Sequence, residues 1–240
     1  MGRAFEVRKA AMAKTSAAKT KVYSRYGKEI YMVAKAGVPD PEMNTGLRRI
    51  IDEARAKQVP ADIIKRAVEK AKGGSEESYH AVSYEGFGPG ASTFIVECLT
   101  DNDNRTVGEV RNCFTKTKGK FGVSGSVMHG YDHVGILSFP YDNEEEIMEV
   151  LLENDVELQD IELEEGSITV TVDTTSLHKA KEAIESKLGE IQFDVLEITY
   201  LPHDYVMIEA DDMPAFDKLI AMLDEVEDVQ NVYHNVSVGE

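Results

Sequence analysis

Residues 101–106, Asp-Asn-Asp-Asn-Arg-Thr, alternate carboxylate and amide oxygens in the manner of a calcium-binding loop. Such a loop needs an oxygen ligand at its fifth position, glycine at its sixth and a bidentate glutamate at its twelfth. This chain has Arg105, Thr106 and Asn112 there, which excludes calcium. Gly86-Phe87-Gly88-Pro89-Gly90 looks like a phosphate loop but leads into a strand pattern and lacks the Lys-Ser/Thr pair, so it reads as a turn. Gly122-Val123-Ser124-Gly125-Ser126 approximates a nucleophile elbow without its final glycine. His129 and His133 have the spacing of a helical zinc pair. They flank Gly130 in strand-and-turn sequence, with no third ligand nearby. No stretch brings a base, a nucleophile and an orienting group together. The expectation is a protein without catalysis, metal or cofactor.

The cations are more informative. The chain has a formal net charge of −18. Residues 1–75 nevertheless hold 17 Lys and Arg against 8 Asp and Glu, and residues 76–240 hold 9 against 36. Salt screens surface fields within about 8 Å, so a remote acidic region does not cancel a basic one. The first 28 residues carry Arg3, Arg8, Lys9, Lys14, Lys19, Lys21, Arg25 and Lys28 with only Glu6 opposing them. Arg105, Arg111, Lys116, Lys118 and Lys120, opposed by Glu109, form the cationic stretch of the acidic remainder. These thirteen residues predict a split surface for phosphate groups, with DNA as the first partner class. Tyr23, Tyr26 and Tyr31 are interleaved with cations and could stack on bases, but core packing is the assignment made here.

Periodicity supplies the elements that must carry these residues. Helical spacing dominates residues 1–76, with Asn44 placed to cap one helix and Pro60 to open another. Beyond Gly73-Gly74 the period shortens to that of strands. Strand Val134–Phe139, a helix, strands Glu157–Leu163 and Ser167–Val172, a second helix and strand Phe193–Leu201 form a βαββαβ unit within 133–203. On either side, strand 91–100, helix 104–118 and strand 126–131 combine with strand 205–208, helix 213–225 and strand 229–236 into a second such unit. Thr106 and Glu109 have capping-box spacing. The fold class expected is therefore multidomain α+β. It comprises a helical basic domain (1–76), a discontinuous α+β domain (77–132 and 204–240) and an acidic ferredoxin-like domain (133–203) inserted in it. No apolar run approaches the roughly 18–20 residues of a membrane span, and no secretion signal opens the chain. Cys98 and Cys113 read as buried thiols, which suits a cytoplasmic protein.

Several stretches carry a resemblance: YEGFGPG (84–90), DNDNRTVGEVRNCFTKTKGKFGVSGSV (101–127), VYHNV (232–236) and KAGVPDPEMNTGLRRIIDEA. Together they resemble the YebC/PmpR family over nearly the whole chain. The opening Gly2-Arg3-Ala4-Phe5 is similar to a subgroup that starts Gly-Arg rather than Gly-His-Ser-Lys-Trp. The resemblance implies a helical first domain and two α+β domains, one inserted in the other. It also implies a DNA-binding transcriptional regulator without enzymatic activity. Other members, including a mitochondrial translational activator for cytochrome c oxidase, act at the ribosome, so ribosomal RNA is the alternative partner. A protein partner on the acidic domains is a third possibility, one in which the basic N-terminus would be dispensable.

Overall fold

The structure is a computed structural model that describes residues 19–73 and 79–237. The described residues open with three helices: α1 (Lys19–Ala36), α2 (Thr45–Ala56) and α3 (Ala61–Lys72). Asn44 caps α2 as its spacing predicts, its side chain accepting from the Leu47 amide. The apolar residues of the three helices meet in one core around Ile30, Ala34, Leu47 and Ala54. Tyr26 and Tyr31 belong to that core, which removes both from any base-stacking role.

Strands β1 (His80–Phe87), β2 (Thr93–Thr100), β3 (Lys120–Phe121) and β8 (Val229–His234) form an antiparallel sheet of order β3-β1-β2-β8. Helices α4 (Asp103–Lys116) and α7 (Met213–Glu225) cover one face of it. Side chains alternate across a strand, so Phe94, Val96 and Cys98 of β2 point into that helix-covered core. Ile95 and Glu97 point the other way, Ile95 into a cluster with Val127 and Tyr131.

Between β3 and α7 lies the inserted unit: β4 (Tyr131–Pro140), α5 (Glu144–Glu153), β5 (Leu158–Glu164), β6 (Ser167–Asp173), α6 (Leu177–Leu188) and β7 (Val195–Pro202). Its sheet order, β5-β6-β4-β7, is the ferredoxin-like arrangement expected from sequence.

The outer sheet reaches the same spatial order by another route, and two expected strands are corrected. Residues 126–130 form no ladder; they close in a 3₁₀ turn over Met128–Gly130. The Glu85 carboxylate takes the amide hydrogens of Gly125, Val127 and Met128, which removes the donors a strand would use. Residues 205–208 contribute only an isolated parallel bridge between Val206 and Val236. The places those strands were expected to fill are taken by β1, which precedes the unit in sequence and pairs with β2 from His80 to Phe87, and by the short β3, which pairs with β1. The outer unit is thus a permuted ferredoxin-like sheet.

Candidate nucleic-acid interface

The candidate interface is built around α4 and the turn that follows it. Asn102, rather than the expected Thr106–Glu109 pair, opens the helix, its side chain accepting from the Arg105 amide at 3.1 Å. Thr106 is fully buried and donates to Asp228 at 2.8 Å. Val110, Cys113 and Phe114 face the sheet, which leaves Arg111, Thr115 and Lys116 outward. Phe114 is enclosed by Phe94 and Phe121. Gly86 permits this approach, because a Cβ there would lie 2.5 Å from the Phe114 ring.

Past Thr117 the chain reverses. Lys118 adopts a left-handed backbone with φ 61°, and the Gly119 amide donates back to the Phe114 carbonyl at 2.9 Å. Glycine or asparagine is the usual occupant of such a position, since a Cβ there costs about 1–2 kcal/mol. Lys120 then lies on the short edge strand β3, opposite Phe87. Arg111, Lys116, Lys118 and Lys120 are all exposed and form no ion pair among the described residues. Arg111 lies 5.1 Å over the Phe121 ring, which fixes its guanidinium beside β3. Lys116 complements the helix C-terminal dipole and Lys120 blunts a sheet edge, but neither purpose accounts for a lysine at the left-handed position 118.

After β3 the loop Gly122–Val127 is stapled from beneath. Glu85 is only 4% exposed. Its carboxylate accepts from Gly125 N at 2.6 Å, Val127 N at 2.5 Å and Met128 N at 2.8 Å, and its carbonyl accepts from Gly122 N at 2.8 Å. Burial pushes its pKa up, but the three amide donors together outweigh it and hold the carboxyl below the usual range. Periodicity offered no sign of this staple; a glutamate between Tyr84 and Gly86, inside a strand, was the available signal.

Three residues assigned to phosphate contact do other work. The Lys28 ammonium is buried, 3.1 Å from Asp228 and 3.1 Å from the Glu227 carbonyl. Arg105 donates to Asp228 at 2.6 and 3.2 Å and to Asp101 at 2.9 Å. Arg25 is divided between Glu29 at 3.1 Å and Asn231 at 2.8 Å, where Asn231 and Tyr233 in turn donate to Glu97. These pairs join α1 to the outer sheet and neutralise the three cations. Asp228, 1% exposed, is the hub for Lys28 and Arg105. Burial raises its pKa, yet the hydrogen bonds from Arg105, Thr106 and Lys28 bring the net shift downward. Sequence reasoning missed this hub because Asp228 lies more than a hundred positions from Lys28 and Arg105. Arg3, Arg8, Lys9 and Lys14 lie outside the described residues. Lys19 and Lys21 begin α1, and their side chains lie outside them too.

Comparison with known proteins agrees with this architecture. Residues 3–74 match the model of the TACO1/YebC protein N-terminal domain, and residues 79–236 match that of the TACO1/YebC second and third domain. The chain belongs to the TACO1/YebC family. Its relatives include a probable transcriptional regulatory protein of Pseudoalteromonas atlantica, 52% identical over 99% of this chain and 98% of the relative. Another, of the same description, from Marinobacter nauticus, is 52% identical over all of both chains. The crystal structure of a conserved hypothetical protein from Aquifex aeolicus superposes with a TM-score of 0.75, at 34% identity, covering 95% of this chain and 94% of that one. The first two of these relatives are thus named as probable transcriptional regulatory proteins. Among the described residues no helix is long and apolar enough to cross a membrane.

Proposed function

We propose that this member of the TACO1/YebC family is a non-enzymatic cytoplasmic regulator that acts by binding nucleic acid, DNA in the first reading. Arg111, Lys116, Lys118 and Lys120 hold phosphates, and the basic residues from Arg3 to Lys21 extend the contact. The observation that supports this best is Lys118: an exposed cation retained on a left-handed backbone, between two others, in an otherwise acidic part of the chain. The names of the relatives support a role in transcription. The acidic inserted unit repels phosphate and so limits contact to the cationic end.

One observation favours a second reading, structured RNA. The cations gather at the end of a helix and on an edge strand rather than along a helix flank. Groove-reading proteins lay a helix lengthwise in the major groove. A compact patch suits backbone contact, which a folded RNA offers as readily as a duplex. Competition settles the choice. A labelled DNA duplex bound to the full chain is challenged with unlabelled duplex or with an RNA hairpin of equal charge. The first reading expects the duplex to displace the label at lower concentration. Stronger displacement by the hairpin transfers the reading to RNA, and failure to bind either rejects both.

A further inference from the structure

The Gly122–Val127 loop has an unusual combination of a rigid base and an apolar tip. Val123 is 76% exposed, among the most exposed large hydrophobic side chains described. An exposed valine on a mobile loop would need no comment. Here a buried carboxylate accepting three amide hydrogens holds the loop in one shape. Gly122 lies against the Ser126 hydroxyl and 3.1 Å from the Glu85 carbonyl by the position its Cβ would take, so the backbone is packed without slack. Gly125, at φ 80°, supplies the reversal. Phe87, 37% exposed, is the β1 neighbour of Lys120, so a second apolar surface adjoins the lysines.

The buried carboxylate commits three hydrogen bonds to an exposed loop rather than to the core. What this achieves is preorganisation: an element already in its bound shape loses less entropy on binding. The tip is three residues beyond Lys120 and five beyond Lys118. Three residues span at most about 11 Å of chain, so a polyphosphate held at Lys120 has its sugars and bases within reach of Val123. Apolar side chains presented in this way act as wedges against base faces.

We infer that Val123 contacts an exposed base face of the bound nucleic acid, and that Glu85 is the positioning residue that holds the loop for this contact. The inference rests on the proposed phosphate-binding role of the neighbouring lysines. It adds a base-directed element to a surface otherwise limited to phosphates.

The test compares a labelled single strand of about 20 nucleotides, longer than a single binding site, with an abasic strand of equal length and charge. Wild type should prefer the strand that carries bases. Val123→Ala should weaken binding to that strand about threefold to fivefold, the effect of removing two methyl groups that a one-sided contact half buries, and leave the abasic strand unaffected. Glu85→Gln should reduce the same preference, because its amide places N–H against the loop's N–H donors. A variant with Lys116, Lys118 and Lys120 changed to alanine should lose affinity for both strands alike. Val123 is on the surface, so its variant keeps the test decisive should Glu85→Gln fold poorly. If Val123→Ala binds both strands as wild type does while the lysine variant loses both, the base contact is overturned and the phosphate reading stands. If wild type binds the duplex or the hairpin but neither single strand, the base contact is overturned and the phosphate reading stands.

Discussion

The Arg105 guanidinium lies 2.6 Å from the carboxylate of Asp228, 123 positions further along the chain. The same carboxylate receives Lys28 from α1 and the hydroxyls of Thr100 and Thr106. One buried anion therefore joins α1, the start of α4 and the turn into β8. The arrangement is architectural, because an ammonium so enclosed cannot reach a ligand without breaking the joint.

Asp228→Ala leaves the buried Lys28 ammonium without its counter-charge, which costs about 3–5 kcal/mol. Lys28→Met leaves Asp228 still bonded to Arg105 and Thr106, and costs less, about 1–2 kcal/mol. Urea midpoints should rank the variants in that order. The reverse order would mean that Asp228 is not the hub.

Acid should loosen the molecule in a defined window. Glu85 and Asp228 both have folded pKa values below those of the unfolded chain. Their stabilisation is complete above the ordinary carboxylate range and is lost as pH falls through the depressed values. The thermal midpoint should be nearly flat from neutrality to about pH 5 and fall below about pH 4. The double variant Glu85→Gln/Asp228→Asn should begin lower and show a shallower acid limb. An acid limb of unchanged slope would place the titration elsewhere.

Lys118→Gly separates stability from binding. Relieving the left-handed backbone at φ 61° should leave stability unchanged or raise it by up to about 1 kcal/mol. Loss of the cation should lower nucleic-acid affinity. A variant that loses stability as well would show that the lysine serves the fold.

Gly86→Ala drives a methyl group into the Phe114 ring and should cost about 1–3 kcal/mol. Phe114→Leu should recover part of that cost when combined with it. A double-mutant cycle that came out additive would deny the contact.

The sequence was most informative where structure is local. The ferredoxin-like insert, the α2 cap at Asn44 and the change of period after Gly73 are all set by near neighbours or by side-chain alternation. Misreadings occurred where a distant group took over a local donor. Residues 126–130 have the apolar content of a strand, but Glu85 captures their amides. Thr106 has the spacing of a cap, but Asp228 holds its hydroxyl inside. Charge count likewise assigned Arg25, Lys28 and Arg105 to the surface. Whether a cation is free depends on its carboxylate neighbours: Asp228 reaches Lys28 and Arg105 only in three dimensions, whereas Glu29 lies one helical turn from Arg25. Lys116, Lys118 and Lys120 were legible as a cluster because their freedom follows from an acidic neighbourhood that leaves them at its edge.

The most direct test measures nucleic-acid affinity against salt for the wild type and for the variant Lys116→Glu/Lys118→Glu/Lys120→Glu. Each phosphate contact contributes about 0.9 to the slope of log affinity against log salt. The account predicts a variant that folds normally, binds more weakly and has a slope shallower by about 3. Two parallel lines of equal affinity would contradict it.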